Sequence, residues 1–496
     1  MTNKKISIIG AGIAGLCAGS YLQMNGYDTE IFEMNNIPGG LCTSWIRKDY
    51  TFDGSIYSIG MLNKKYMISR WWRELIDEDN LKFHCHEDLV TYEDVSGNVI
   101  KFTSDLVKLE RDLKAIAPED TKFIDDFVKA IKCLLKYDLH PSKPLELWNP
   151  IDYLLSQYKA SPYLFYLNKY KKPMCEITKN CKSSLLKKVL NQDFFSHFPA
   201  YFFILSIAEL CNKNLCYPIG GSLQFARLIE KKYLDLGGKI NYKGKVEKIN
   251  VKNNEAVGIT ITDGNIFNSD LVISAADGYN TIFKMLEKKY VDDKIINLYE
   301  QYPVWSSAIV ISLGIARTFE NETSAIELHL EKELVIDEHT NLKSIPITTY
   351  NFDPTLAPNG KTCMRIILHT ENYEYWESLR ENDHEKYKKE KERISNEVIT
   401  ILDKRFENII ENVEVVDVAT PATFNRYTNN WKGRFMTWDW VGLLPVSISK
   451  QLPKLKNFYM VGQWVMAGGG VPCGLITGRD IARIICHEDR KKFKVQ

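Results

Sequence analysis

The residues with the clearest chemical spacing are Gly10-Ala11-Gly12-Ile13-Ala14-Gly15 and, 21 positions beyond Gly12, Glu33. Each glycine has a mechanical role. Gly10 permits a tight turn out of a strand, Gly12 lets the backbone approach a pyrophosphate, and Gly15 lets helix and strand pack closely. A carboxylate at the distance of Glu33 accepts hydrogen bonds from an adenosine ribose, and it disfavours a 2′-phosphate. The site therefore suits FAD or NAD and not NADP. No Ser/His/Asp or Cys/His arrangement is legible. The chemistry is then redox chemistry of a bound dinucleotide, for which the protein supplies orientation and electrostatics.

The elements that must position these residues are legible on either side. Ile6 to Ile9 is a short apolar run of the kind buried on both faces of a parallel sheet. Leu16 to Asn25 reads as helix, with its N-terminus placed to hold phosphate. Thr29 to Phe32 reads as a second strand that ends in Glu33 and Met34. Two further glycine clusters follow. Pro38-Gly39-Gly40-Leu41-Cys42 precedes Phe52-Asp53-Gly54, and Pro218-Ile219-Gly220-Gly221 opens a helix from Leu223 to Leu236. A strand holding Val246 and Ile249 comes next. Ala256 to Thr262 and Leu271 to Ala275 then read as a hairpin around Asp263-Gly264, part of a meander returning to the sheet. Near the end, Asn457 to Val461 is a strand that delivers Gly462-Gln463-Trp464. Gly468-Gly469-Gly470-Val471-Pro472 then opens a helix from about Cys473 to Cys486. Its start would put a partial positive charge where an anion develops.

In this order and combination the motifs resemble the phytoene desaturase-like flavoproteins, a family of carotenoid desaturases, carotenoid isomerases and retinol saturases. The resemblance implies an α/β fold, a Rossmann-type FAD-binding domain of the glutathione-reductase-like kind with an inserted α+β substrate domain, and FAD as cofactor. The FAD domain would comprise 1–63, 215–285 and 424–496. Segments 64–214 and 286–423 would form the substrate domain, with a sheet floor and a helical lid. By the same resemblance, Gly10, Gly12, Ile13, Ala14, Gly15, Glu33, Met34, Gly39, Gly40 and Leu41 line the cofactor. Val246 meets the adenine through its backbone. Gly462, Gln463, Gly469, Gly470, Val471, Pro472 and Leu475 line the pyrophosphate, ribityl chain and ring. Many relatives carry arginine where Leu41 stands, and leucine there resembles the saturase and isomerase side of the family. Gln463-Trp464 replaces the Gly-Glu usual in amine oxidases. Tyr57 and Trp464, each just past a flavin motif, are the candidates to face the ring as catalytic or shape-forming residues. Trp438 and Trp440 are further candidates to line the pocket or its core.

The implied reaction saturates or desaturates a carbon–carbon bond of an apolar polyene or isoprenoid by hydride transfer with flavin N5. Redox-neutral double-bond isomerisation and amine oxidation are the alternatives. One dinucleotide fingerprint leaves any nicotinamide a transient visitor.

At 496 residues the chain exceeds a single core, and its 45% hydrophobic and 26% charged content is ordinary for a globular protein. A net charge of +1 without a basic block excludes a nucleic-acid footprint. Glu385 to Arg393 reads as the solvated face of a longer helix. Eleven cysteines without metal spacing suggest a reducing compartment and no disulfide framework. His84-Cys85-His86 reads as a strand edge and not a metal site. No signal segment and no run of about 18 apolar residues is present, so a cytoplasmic location is expected. The first insertion reads as helical and rich in aromatics (Trp71, Trp72, Phe194, Phe195, Tyr201 to Phe203). The second opens with a strand from Ser307 to Gly314 and later holds another from Cys363 to His369. The most apolar run, Phe198 to Leu205, suits a lid-core helix equally with a lipid tunnel or a peripheral membrane contact.

Overall fold

Ile6, Ile8 and Ile9 are all buried, and two-sided burial is what the centre of a parallel sheet demands. In the computed structural model, Lys5–Ile9 is the middle strand of five. The order across the sheet is Lys239–Tyr242, Asp28–Glu33, Lys5–Ile9, Leu271–Ser274 and Phe458–Met460, every pair parallel. The structure describes residues 4–495 except 61, 78, 80, 139, 192–194, 197, 441, 444, 445 and 467. Phe194 lies outside the described residues.

The expected hairpin needs correction. Glu255–Ile261 turns into Ile266–Asn268, forming with Val246–Lys252 a separate three-stranded antiparallel sheet. Leu271–Ser274 instead runs parallel beside Lys5–Ile9, with Ile8 opposite Ile273. All four of its residues are buried, which a solvent-facing meander strand would not need. The pairing is secured from Asp270, whose carboxylate accepts the Lys5 N–H at 2.8 Å.

The second sheet has seven strands, in the order Val413–Ala419, Ser307–Ile315, Thr362–Thr370, Thr340–Thr349, Ala325–Asp337, Asp88–Glu93 and Val99–Thr103. Every residue of Ser307–Ile315 is buried. Its neighbour Thr362–Thr370 contains the expected strand Cys363 to His369. The first insertion is thus not wholly helical, because Asp88–Glu93 and Val99–Thr103 extend this floor. Trp71 and Trp72, on the helix Met67–Leu75, join the core under the parallel sheet.

The helices Leu106–Ile116, Thr121–Leu134, Ser184–Leu190 and Ala200–Cys211 of the first insertion pack around a core of their own, centred on Phe127, Phe203 and Ile204. Phe203, Ile204 and Ile207 are buried there, while Phe202 and Leu205 on the same helix are half-buried. The helix His384–Phe406 buries Tyr387, Ile394, Val398 and Leu402 and leaves most of its Lys/Glu run to water. Among the described residues, no helix is long and apolar enough to cross a membrane.

One cysteine expectation is overturned. Cys85 and Cys216 form a disulfide. Strand Phe83–Cys85 pairs antiparallel with Leu215–Pro218, and the register sets these two residues opposite each other. Their separation of 131 residues hid the pairing in the sequence.

Candidate cofactor and substrate site

The first helix, Ile13–Met24, begins at Gly12 with no side-chain cap and no acid in its first turn. Its amide groups and dipole are therefore left for an outside anion. Gly15 is forced by packing: a Cβ there would lie 2.0 Å from the Gly10 carbonyl oxygen. Gly10 itself has φ +96°, in the region that favours glycine. The second cluster closes over the loop, since Gly39 N–H donates to the Ala11 carbonyl at 2.9 Å. Gly40, at φ +62°, faces Gly12, where a Cβ would meet the Gly12 Cα at 3.4 Å, in ordinary contact. Ile13 and Ala14 are buried on the helix, and Met34 and Leu41 are half-buried at the rim.

Glu33 is buried at the end of the second strand and braces the loop directly. Its Oε2 accepts the Ala11 N–H at 2.8 Å, and its Oε1 accepts the Asn35 N–H at 2.9 Å. Val246 is buried beside Ile9 and Phe32, opposite Ile261.

The C-terminal helix, Gly470–Glu488, reaches the same place because two of its glycines admit the first helix. A Cβ at Gly474 would lie 2.9 Å from Ile13 Cγ2, and one at Gly478 would lie 2.8 Å from the Ala18 nitrogen. Gly469 caps this helix without a side-chain bond, and no acid occupies its first turn. Leu475 is fully buried in the shared core, while Val471 and Pro472 are half-buried at the helix start. Gly462 N–H donates to Thr477 Oγ1 at 2.8 Å, tying strand exit to helix. Gln463 accepts at its carbonyl from Thr437 Oγ1 at 3.3 Å.

These features fit FAD. Two uncapped helix starts converge, glycines clear the approach, and a carboxylate stands at the strand end. Thr43 Oγ1, just past the paired glycines, is buried without a protein partner.

Asp53 was visible only as a motif residue, yet it binds this region together. Its carboxylate accepts the Ser222 N–H (2.6 Å), the Ser222 hydroxyl (2.6 Å), the Tyr217 hydroxyl (2.9 Å) and the Ser55 N–H (2.9 Å). Arg365, on the floor strand Thr362–Thr370, donates to the Asp53 carbonyl at 3.1 Å. Burial and proximity to Asp53 push the Tyr217 hydroxyl far above its ordinary range.

The two ring-facing candidates occupy different clusters. Tyr57 stacks on His86 with centroids 4.3 Å apart, and its hydroxyl meets Ser324 Oγ at 3.0 Å. His86 in turn contacts Ser324 Oγ through Nδ1 (3.2 Å) and the Tyr57 carbonyl through Nε2 (3.0 Å). One assignment satisfies the ring: Tyr57 donates to Ser324, Ser324 to neutral His86 Nδ1, and His86 Nε2–H to the carbonyl. Burial holds His86 down at about 4 and pushes Tyr57 up to about 12. His86 and Ser324 were not singled out as site residues, because nothing local links positions 238 apart. The alternation of His84 and His86 was the one usable signal.

Trp464 is buried among Tyr299 (5.6 Å, stacked), Trp438 (5.1 Å) and Gly278. Trp438 is core. Trp440 is half-buried and meets Phe202 of the first insertion at 4.7 Å, while Phe198 meets Trp305 at 4.7 Å. A Cβ at Gly468 would lie 2.9 Å from the Trp440 ring. Aromatics of the first insertion thus close onto the segment that starts the C-terminal helix.

A doubly clamped dinucleotide cradle beside an aromatic cluster is the arrangement of a flavin-dependent oxidoreductase. The chain belongs to the family of flavin containing amine oxidoreductases, whose model matches residues 13–486, and its cofactor is FAD. It is 26% identical to prolycopene isomerase 1, chloroplastic, of an Oncidium hybrid cultivar, over 95% of this chain and 82% of that protein. It is 21% identical to the lycopene-forming phytoene desaturase of Pseudescherichia vulneris, over 98% and 99% respectively. Cyclohexylamine oxidase from Brevibacterium oxydans IH-35A shares the fold at a TM-score of 0.59 and 14% identity, covering 99% of this chain and 100% of that one. These relatives bear out the resemblance read from the motifs.

Proposed function

We propose that the protein saturates or desaturates a carbon–carbon bond in an apolar polyene or isoprenoid. The observation that carries this reading is the aromatic cluster in which Phe198 and Phe202 meet Trp305 and Trp440 beside Gly468. An extended hydrocarbon needs shape and desolvation, which aromatic walls supply. The names of the prolycopene isomerase and phytoene desaturase relatives support a substrate of this class.

Bound FAD supplies hydride exchange at its N5. Segments 1–63, 215–285 and 424–496 hold it, and 64–214 with 286–423 hold the substrate. Gly10, Gly12, Ile13, Ala14 and Gly15 receive the pyrophosphate, Glu33 and Met34 the adenosine, and Val246 the adenine. Gly39, Gly40, Leu41, Gly462, Gln463, Gly469, Gly470, Val471, Pro472 and Leu475 surround the remaining cofactor. Tyr57 and Trp464 shape the ring side of the pocket.

Redox-neutral isomerisation is the second reading, favoured by Leu41 and by the greater identity to the isomerase. The test is anaerobic titration of oxidised and photoreduced holoenzyme with detergent-dispersed polyenes. Flavin and polyene spectra changing in equal amounts support hydride transfer. A geometric isomer formed without net flavin turnover selects the second reading. Polyenes untouched in both redox states, with an amine bleaching the flavin, overturn both.

A further inference from the structure

A cleft of about 480 Å³ shares no lining residue with the glycine clamps. Its wall is a column of three half-buried rings. Phe283 stacks on Tyr279 with centroids 4.7 Å apart, and Tyr279 on Trp431 at 5.2 Å. Buried Tyr299 stands edge-on to all three. Lys284, Lys288 and Lys432 line the same cleft with one acid, Glu300. Lys432 is already held by Glu374 at 2.8 Å. Lys284, Lys288 and Glu300 are exposed and form no ion pair among the described residues; Lys288 reaches only the face of Phe283, at 5.9 Å. The backbone is irregular where it delivers these groups. Asn280–Met285, which carries Phe283 and Lys284, is a π-helix, a form frequent at functional sites. Lys288 has φ +58°, uncommon for a residue with a side chain.

We propose that this cleft binds an aminopurine nucleotide, separately from the FAD cofactor. Each part of such a ligand has its counterpart. The base stacks against the ring column, as bases do on aromatic side chains, and a bicyclic purine offers the larger face. The phosphates take Lys284 and Lys288, whose ammonium groups are compact charges suited to phosphate oxygens. Glu300 accepts from the exocyclic amino group, as carboxylates do in base recognition. A simple polyanion would need only the lysines, and an uncharged ring only the aromatic wall; rings, cations and a lone acceptor together call for all three parts. The volume is that of a small-molecule site. The inference does not depend on the reaction proposed above.

Equilibrium dialysis of FAD-saturated holoenzyme against ADP tests the site while the glycine clamps are filled. ADP should bind at least about tenfold more tightly than adenosine, which lacks the phosphates, or inorganic pyrophosphate, which lacks the base. Lys284→Ala with Lys288→Ala should weaken ADP at least about tenfold and leave adenosine unchanged. Glu300→Ala should abolish the preference for ADP over inosine diphosphate, which has no amino group on its base. Lys294→Ala, on the helix Asp293–Gln301 but outside the cleft, should change nothing. Retained flavin absorbance reports the fold, and should the lysine variant shed its flavin, Glu300→Ala still decides. Four results overturn the proposal: no binding of ADP, ADP displaced by excess FAD, pyrophosphate bound as tightly as ADP, or the lysine variant binding ADP as the parent does.

Discussion

Ser222 closes on Asp53 with both of its hydrogen-bonding groups, although 169 residues separate them: its N–H reaches Oδ2 and its hydroxyl reaches Oδ1, each at 2.6 Å. The approach depends on Gly221, at φ +77°, where a Cβ would lie 2.6 Å from the same Oδ2. The strand Tyr50–Asp53, the helix Gly221–Asp235 and the floor strand bearing Arg365 therefore meet at one buried residue, Asp53.

Asp53→Ala removes the acceptor for three buried donors and the half-buried Ser55 N–H, and leaves Arg365 beside them. The expected loss is about 3–5 kcal/mol of stability, the range for breaking a buried charged network. Denaturant unfolding of the holoenzyme measures it. A loss below about 1 kcal/mol would show that the donors find other partners.

Glu33→Gln keeps the shape of the side chain but turns a donor toward either the Ala11 or the Asn35 N–H. Hydrogen bonds to charged groups contribute about 1.5–3 kcal/mol, so FAD affinity should fall about ten- to a hundredfold. Flavin fluorescence during reconstitution of apoprotein reads the change directly.

Tyr57 separates a shape role from a proton role. Its hydroxyl is held above the ordinary range by burial and is bonded to Ser324. Tyr57→Phe should stay within about threefold of the parent turnover, and Tyr57→Ala should fall about a hundredfold, or about 2.7 kcal/mol in the barrier. A hundredfold loss in the Phe variant, with an altered pH profile, would assign the hydroxyl a proton-transfer role.

His86 makes stability depend on acid. Burial lowers its folded-state value to about 4, below the ordinary 6.5, so the unfolded chain binds the extra proton in that window. Stability should therefore rise with pH from 4 to 6.5 and be lost as pH falls through it. The slope from this one group is at most about 1.4 kcal/mol per pH unit. Comparing thermal unfolding of the parent and His86→Gln across the window isolates it: the variant should show the shallower acid limb, and equal slopes would refute the assignment.

What the sequence determined by itself was local. Gly10, Gly12 and Gly15 need only neighbouring residues to turn a strand into a helix, and Glu33 follows at the length of one βαβ unit. The parallel core and the C-terminal strand and helix were legible from such spacings, which left FAD and NAD both open; flavin was implied by the resemblance that the motifs carry together. Tertiary structure alone decided the partners of distant segments. The run Leu271–Ser274 has a strand pattern whether it returns in a hairpin or enters the parallel sheet, and burial on both faces made the choice. Cys85 met Cys216, and Tyr57 met His86 and Ser324, through strand register and loop closure that leave no mark along the chain.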